Sequence, residues 1–278
     1  MRISWVKLVG MLVALLLLFI PKICLGMNII HNFGNLADSQ RVSLSNYITA
    51  WEGHICCDNT LTIDFFNADL GGPSLELPNM KAGVELFIGT SEKGEFITLA
   101  ETDQFQPDGN GEPTHARIRF NNNLGIPWQC DFNQPLDPNK YDFFSVAHHE
   151  LCHACGFTVN YNNFSSHVTS GPASFRTFTC DGFTVNLEPD TFGTHVCADS
   201  IFSCIPGDLM NRLIDKGVRR RPEQWHFFAL NCAFSCSKGN SVCDAPTLTE
   251  WGLVILVVLI VVSAWVVMRK RKAVRIRA

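Results

Sequence analysis

The 278-residue sequence predicts an α+β domain in which a mixed β-sheet lies over one helix that carries the functional side chains. Two observations predict this arrangement. Short segments of alternating apolar and polar residues lie in the first half of the chain, and two segments with helical features follow, beginning at Asp142 and Pro222. Between the helices, residues 158–206 are rich in Gly, Ser, Thr, Asn and Phe and have no helical period; we call this segment the insertion.

Three segments have the alternation that is typical of a half-buried β-strand. They are residues 61–65, residues 84–88, where the alternation is partial, and residues 116–120. Turn-forming residues rich in glycine and proline lie between them, for example at 71–73 and 107–111. We therefore expect the sheet to precede the functional helix in the chain.

The functional helix is predicted from residue 142 onwards. Asp142 can cap its N-terminus, and apolar residues between Val146 and Ala154 recur with a spacing near 3.6 residues. The second helix is predicted from Pro222, a residue suited to the first helical turn, to about Phe234.

His149, Glu150 and His153 form the pattern His-Glu-x-x-His within the functional helix. Residues four apart lie on one face of a helix, so both imidazoles can bind one Zn²⁺. Glu150 can then take a proton from the water that attacks a carbonyl, which suits zinc-assisted hydrolysis of a peptide bond. A purely structural zinc site at Cys152, His153 and Cys155 is disfavoured, because residues two and three apart on a helix do not converge well.

A catalytic zinc needs a third protein ligand. Four side chains downstream of the motif can supply it, namely His167, Glu188, His195 and His226. His167 lies in a polar stretch, His226 in the terminal helix, and Glu188 would give a carboxylate-ligated site. His148 points to another side of the helix and is not expected to bind the metal.

Residues 149–157 resemble the active-site helix His-Glu-x-x-His-Ala-x-Gly-Phe of metzincin proteases, closest to the leishmanolysin type. Ordinary metzincins have their third histidine six residues after the second, where this chain has Val159. Leishmanolysin-like members insert a long segment before that histidine and then continue to a Met-turn. The resemblance thus implies a zincin/metzincin-like fold, His195 as third ligand with His167 as the alternative, and Met210 as the Met-turn residue.

The resemblance also concerns the sheet and the extent of the domain. In that family a peptide substrate lies along an edge strand and extends the sheet. Our hypothesis for that edge is the strand at 115–120. Residues 27–240 are interpreted as the zinc metallopeptidase domain.

The two ends of the chain are interpreted as targeting segments. Residues 1–26 combine a basic start with a short apolar run, which is typical of a secretory signal peptide cleaved near Gly26; an uncleaved anchor is the alternative. Residues 251–268 are apolar and, at roughly 27 Å as a helix, long enough to cross a bilayer core. The basic cluster at 269–277 predicts that the tail is cytoplasmic.

Residues 245–252 read Ala-Pro-Thr-Leu-Thr-Glu-Trp-Gly and, with the span and basic tail behind them, resemble the IPTL-CTERM sorting signal of Gram-negative bacteria. The segment 241–278 is therefore interpreted as a sorting signal. The resemblance implies an exosortase-type membrane enzyme as a partner. It also implies an exported protein, held at the cell membrane or displayed at the cell surface, with release after processing as an open alternative.

Charge and cysteine content agree with an exported domain. Residues 27–248 carry 13 basic and 25 acidic side chains, a net charge of −12, which argues against nucleic acid as a partner. The arginines at 219–221 are interpreted as a solvated basic patch. Eleven of the 12 cysteines follow the predicted cleavage site, which suggests disulfides. Cys180, Cys197 and Cys204 are expected to tie down the insertion.

Taken together, these features predict an exported zinc-dependent endopeptidase that acts on a protein or peptide substrate, with Glu150 as general base. One alternative is a non-catalytic surface or adhesion protein with a structural or vestigial zinc site. A second is a zinc hydrolase that acts on a non-peptide bond.

Overall fold

The structure is a computed structural model that describes residues 27–55, 59–76, 84–90, 94–109, 111–123, 126–170, 176–188, 195–196 and 207–234. The predicted signal peptide (1–26) and the predicted sorting segment (241–278, with its span at 251–268) lie outside these residues, as do Cys197 and Cys204. Among the residues described, no helix is both long enough and apolar enough to cross a membrane.

A six-stranded mixed sheet organises the described part of the chain. In order across the sheet, the strands are β1 (Asn28–Phe33), β2 (Thr60–Ala68), β5 (Pro113–Asn121), β4 (Phe96–Pro107), β3 (Glu85–Thr90) and β11 (Leu213–Asp215). Strands β1, β2 and β5 are parallel, β4 is antiparallel to both neighbours, and β3 pairs in parallel with β11. Helix α1 (Asp38–Glu52) supplies the crossover that the parallel pair β1 and β2 requires.

The strands predicted at 61–65, 84–88 and 116–120 are confirmed, since they lie within β2, β3 and β5. Strand β5, however, lies between β2 and β4 in the interior of the sheet, and the outer strands are β1 and β11. The hypothesis that residues 115–120 form a substrate-binding edge is therefore wrong.

The alternation in β5 comes from the different environments of its two faces. Ile118 and Phe120 are buried in the core, whereas Arg117 and Arg119 lie on the other face and both form ion pairs with Asp103 at 2.7 Å. A strand in the middle of a sheet can thus alternate as clearly as an edge strand when charged partners flank it.

Helix α2 (Phe143–Ala154) is the predicted functional helix, and all twelve of its residues are buried. It packs against β3, β4 and β5 on one side, where Phe143 contacts Phe120 with ring centroids 4.8 Å apart. On another side it packs against α1, where Tyr47 lies edge-on to Phe144 at 5.0 Å. The mixed sheet over a central helix is therefore confirmed.

The insertion has secondary structure of its own. It contains a short helix α3 (Asn162–Ser166) and the antiparallel strands β8 (Val168–Ser170), β9 (Arg176–Cys180) and β10 (Phe183–Leu187). A disulfide between Cys180 and Cys232 joins this small sheet to helix α4 (Gln224–Ala233). The expected disulfide at Cys180 and the predicted terminal helix are both confirmed. The remaining strands, β6 (Trp128–Gln129) and β7 (Tyr141–Asp142), pair in parallel just before α2.

The arginines at 219–221 do not form a solvated patch, so that interpretation is wrong. Arg219 forms an ion pair with the fully buried Asp142 at 2.9 Å. Arg220 donates to the backbone carbonyls of Asn211 and Leu213, and burial lowers the pKa of its guanidinium. Of the three, only Arg221 is exposed.

Candidate metal centre

The start of helix α2 is held by Asp142. Its Oδ2 accepts hydrogen bonds from the backbone N–H of Ser145 at 3.1 Å and from the Ser145 hydroxyl at 2.7 Å, as the sequence predicted for an N-cap. Its Oδ1 accepts from Arg219. The cap therefore fixes where α2 begins and, through the helical repeat, where His149 and His153 lie.

Three histidine side chains converge at one buried point. The Nε2 atom of His153 lies 3.1 Å from Nε2 of His149 and 3.3 Å from Nε2 of His195. Nitrogen ligands bind Zn²⁺ at about 2.0–2.1 Å, which places tetrahedral neighbours about 3.3–3.4 Å apart. The three histidines therefore form a fully buried group that could hold a metal ion.

Hydrogen bonds on the far sides of the rings set two of the tautomers. Nδ1 of His149 donates to the backbone carbonyl of Leu209 at 2.7 Å, and Nδ1 of His153 donates to that of Phe157 at 2.7 Å. With the proton on Nδ1, each Nε2 presents its lone pair to the common point. Nδ1 of His195 has no hydrogen-bond partner within the part of the chain that the structure describes.

Burial keeps these imidazoles in the form that binds metals. It lowers the pKa of His153 to about 4, and it lowers the pKa values of His149 and His195 well below their ordinary range. The neighbouring histidines lower the last two further, because a second positive charge in the group is unfavourable. Neutral imidazole is the ligand form, so the environment favours metal over protons.

His195 reaches the group from 42 residues further along the chain. Its backbone carbonyl accepts from the N–H of Glu188 at 2.7 Å, and the N–H of its neighbour Val196 donates to the carbonyl of Met210 at 2.9 Å. The side chain of Asn211 also donates to the Val196 carbonyl at 2.9 Å. His195 is thus held between strand β10 and the turn that contains Met210.

That turn, residues 208–211, contacts His149 directly and Val196, the neighbour of His195. It is closed by a bond from the N–H of Asn211 to the carbonyl of Asp208 at 3.2 Å, and the N–H of Met210 donates to Oδ1 of Asp208 at 2.7 Å. Met210, the residue assigned to the Met-turn by resemblance, is fully buried. Leu209 supplies the carbonyl that binds His149.

Glu150 is buried beside the histidine group and lies against the sheet. Its Oε2 accepts a short hydrogen bond from the hydroxyl of Thr102 on β4, and its Oε1 has no partner among the residues described. Burial raises the pKa of Glu150 well above its ordinary range; the Thr102 bond opposes this, and the nearby carboxylates of Glu85 and Glu101 add to it.

Phe87 on β3 forms one wall of the histidine group. Its ring stacks on His149 with centroids 4.0 Å apart and an interplanar angle of 12°. The aromatic face excludes water from one side of the imidazole and limits its rotation.

The other histidines considered from the sequence lie apart from this group. His167 contacts the insertion sheet, with Nδ1 donating to the carbonyl of Thr179 at 3.1 Å. His226 lies 3.1 Å from Asp208. His148 accepts a hydrogen bond from the indole N–H of Trp51 at 2.6 Å, and burial lowers its pKa to about 3.

The remaining alternatives also lie apart. Glu188 pairs with Arg212 at 3.6 Å. Cys152 and Cys155 are buried free thiols, and burial raises the pKa of each. Within the described ranges, the only other group with metal-binding side chains close enough together is that of Cys180, Asp181 and Cys232, whose two sulfurs are joined in the disulfide.

Sequence reasoning missed three residues of the centre: Thr102, Phe87 and Asp208. Thr102 and Phe87 lie on strands distant from the motif in sequence, and nothing in the local pattern links them to it. Asp208 lies two residues before Met210, and its turn-forming character was a signal that could have been used.

Comparison with known proteins finds no match to any family model, to any curated protein or to any solved structure. The fold and the site define an α/β protein with a buried three-histidine group that could hold a metal ion.

Proposed function

We propose that this protein is an exported zinc-dependent endopeptidase in which His149, His153 and His195 hold the zinc and Glu150 is the general base. The observation that carries the proposal is the convergence of three histidine Nε2 atoms beside a carboxylate one residue after the first of them. The resemblance of residues 149–157 to the leishmanolysin-like metzincins supports the same assignment.

The residues fit zinc on chemical grounds. Three neutral imidazoles are a donor set that catalytic zinc sites use, and hydrogen bonds from Nδ1 to carbonyls orient two of them. Bound by three such nitrogens, zinc supplies a Lewis acid that polarises a carbonyl and makes water more acidic.

Glu150 has the contacts expected of a base that is held on one oxygen and available on the other. Thr102 holds Oε2, and Oε1 makes no hydrogen bond to a described residue. In the proposed reaction Oε1 takes a proton from the attacking water and the carboxylic acid then gives it to the departing amine, so the net change is addition of water across the peptide bond.

The proposed location follows from the ends of the chain. We propose export, anchoring or display at the cell surface of a Gram-negative bacterium, and processing by an exosortase-type enzyme. The Cys180–Cys232 disulfide supports export, because disulfides persist in oxidising compartments.

The decisive experiment compares wild type with Glu150→Gln and the exposed control Glu76→Gln. Zinc content is measured by elemental analysis and hydrolysis on a mixed peptide library. We expect Glu150→Gln to keep its zinc and lose hydrolysis by about 10²-fold or more, the range that general base catalysis contributes. Zinc binding without hydrolysis in the wild type would favour a non-catalytic surface protein.

A further inference from the structure

We infer that His226 is a positioning residue for the metal centre and acts on it through Asp208. This inference rests on the metal centre of the proposed function but not on peptide hydrolysis. His226 was one of the possible third ligands by sequence, yet its imidazole lies against Asp208 with Nε2 3.1 Å from Oδ1. Both side chains are fully buried.

His226 is the donor in its contact with Asp208. Its Nδ1 lies at the backbone of Glu223, 2.9 Å from the nitrogen and 3.2 Å from the carbonyl oxygen. A carboxylate oxygen only accepts, so Nε2 of His226 carries a proton and donates it to Oδ1 of Asp208. The first turn of α4 thus carries a histidine that donates a hydrogen bond to one carboxylate oxygen of Asp208.

That one oxygen fixes the turn at 208–211. Oδ1 of Asp208 accepts from both His226 and the N–H of Met210, whereas Oδ2 has no partner among the described residues. Loss of the His226 bond thus leaves a fully buried carboxylate with a single hydrogen-bond donor, the Met210 N–H. A buried charge with too few partners costs more than a normal hydrogen bond contributes, so the turn would rearrange.

The turn reaches the metal ligands by two routes. The Leu209 carbonyl accepts from Nδ1 of His149 at 2.7 Å. The Met210 carbonyl accepts from the N–H of Val196, next to His195, at 2.9 Å. Movement of the turn therefore disturbs His149 directly and His195 through its neighbour. His153, which is oriented by Phe157 instead, is independent of this route.

The helix that carries His226 is itself anchored. Cys232, six residues further along α4, is bonded to Cys180, and the Trp225 ring stacks on His226 with centroids 3.8 Å apart. The imidazole therefore has little freedom to follow Asp208 if the turn moves. This rigidity is what allows one hydrogen bond to define the position of the turn.

The test measures zinc affinity of the full chain by competition with a chromophoric chelator, in the absence of any substrate. Variants are His226→Leu, which removes the donor, His226→Gln, which can restore one, and His54→Leu, an exposed histidine that serves as control. We expect the zinc Kd to rise about 10- to 100-fold in His226→Leu, the range found when a partner of a ligating histidine is removed. We expect less than about 3-fold in His54→Leu and partial recovery in His226→Gln.

Cobalt substitution separates positioning from general loss of structure. We expect the visible d–d bands of the Co²⁺ form to shift in His226→Leu and to return towards wild type in His226→Gln. If His226→Leu does not fold, Asp208→Asn, which keeps the size and one acceptor oxygen, replaces it and is expected to shift the same bands. Unchanged affinity and unchanged bands in a folded His226→Leu or Asp208→Asn variant would overturn the inference. A wild-type chain that binds no zinc would overturn the metal centre itself, whereas zinc binding without hydrolysis would overturn only the peptidase proposal.

Discussion

Thr102 donates its hydroxyl hydrogen to Oε2 of Glu150, and this bond joins strand β4 to the functional helix at the carboxylate proposed as general base. Both residues are fully buried. Thr102 also lies opposite Glu85, a second buried acidic residue, in the register of β3 and β4. The sheet thereby sets the orientation of a side chain that the helix alone would leave free to rotate.

Replacement of Thr102 by valine removes the hydroxyl at nearly constant shape. A hydrogen bond to a charged group contributes about 1.5–3 kcal/mol, which corresponds to about 10- to 100-fold in rate. We therefore expect kcat for peptide hydrolysis to fall by about that factor in Thr102→Val, with zinc content unchanged. Thr102→Ser keeps the hydroxyl and is the matched control. Equal kcat values in the two variants would contradict a role for the hydroxyl.

Replacement of His195 tests the third ligand. We expect His195→Gln to lose zinc on dialysis, because two imidazoles do not form a stable catalytic zinc site. His167→Gln should keep a full equivalent, since His167 bonds to Thr179 in the insertion. Elemental analysis after dialysis measures both. Zinc loss in the His167 variant alone would show that the described geometry is not the one that binds metal.

Removal of the Cys180–Cys232 disulfide tests how far the insertion depends on its link to α4. The bond closes a separation of 52 residues, for which the chain-entropy model gives about 4 kcal/mol of stabilisation. We expect the double serine variant to lose about 2–4 kcal/mol of unfolding free energy in urea. Cys130→Ser is the control, because Cys130 is a half-buried free thiol. Equal stability of the double variant and wild type would contradict the prediction.

Arg219 neutralises the fully buried carboxylate of Asp142 at the start of α2. Replacement by methionine leaves that charge without its cationic partner, and such losses cost about 3–5 kcal/mol. We expect the unfolding free energy of Arg219→Met to fall by about 3–5 kcal/mol, which lowers the midpoint of its urea unfolding curve. The control is Arg221→Met. Arg221 is exposed and packs over Phe132, so its replacement should lower the unfolding free energy by less than about 1 kcal/mol. Similar losses of unfolding free energy in both variants would show that the ion pair with the buried Asp142 does not make Arg219 more important for stability than Arg221.

The parts of the fold that sequence predicted are those with strong local signals. Asp142 caps α2 because a short carboxylate before an apolar helix favours that position, and the pattern His149-Glu150-x-x-His153 places two imidazoles on one helix face. The choice of His195 needed a family resemblance, since His167 and His226 had equal standing by residue type. Only the fold brings His195 to the helix.

The parts that were missed depend on packing between distant segments. Helix α1 was not predicted, although Leu44, Tyr47, Ile48 and Trp51 recur at helical spacing, because most of its other positions are polar and its apolar stripe is narrow. Strand β4 has a register irregularity after Asp103, which breaks its alternation. Side chains such as Thr102 act on the centre only through tertiary contacts.

Gly156 connects the end of α2 to the carbonyl that orients His153, and its replacement by alanine is expected to damage stability and zinc binding together. Its φ of +119° is disfavoured for any residue with a Cβ, and an added Cβ would lie 2.0 Å from the Phe234 ring. Left-handed backbone costs about 1–2 kcal/mol, and overpacking costs about 1–3 kcal/mol more. We expect Gly156→Ala to lose about 2–5 kcal/mol of unfolding free energy and to bind zinc more weakly, because the Phe157 carbonyl follows it directly.

A double-mutant cycle with Phe234→Ala separates the two costs. Truncation of Phe234 removes the clash but leaves the backbone conformation unchanged, so in that background Gly156→Ala should cost only the conformational 1–2 kcal/mol, to within about 0.5 kcal/mol. Urea unfolding of the four proteins with zinc present measures the coupling. If the cost of Gly156→Ala is the same in both backgrounds, the aromatic contact is not what requires glycine, and the backbone conformation alone explains why glycine lies two residues after the end of α2.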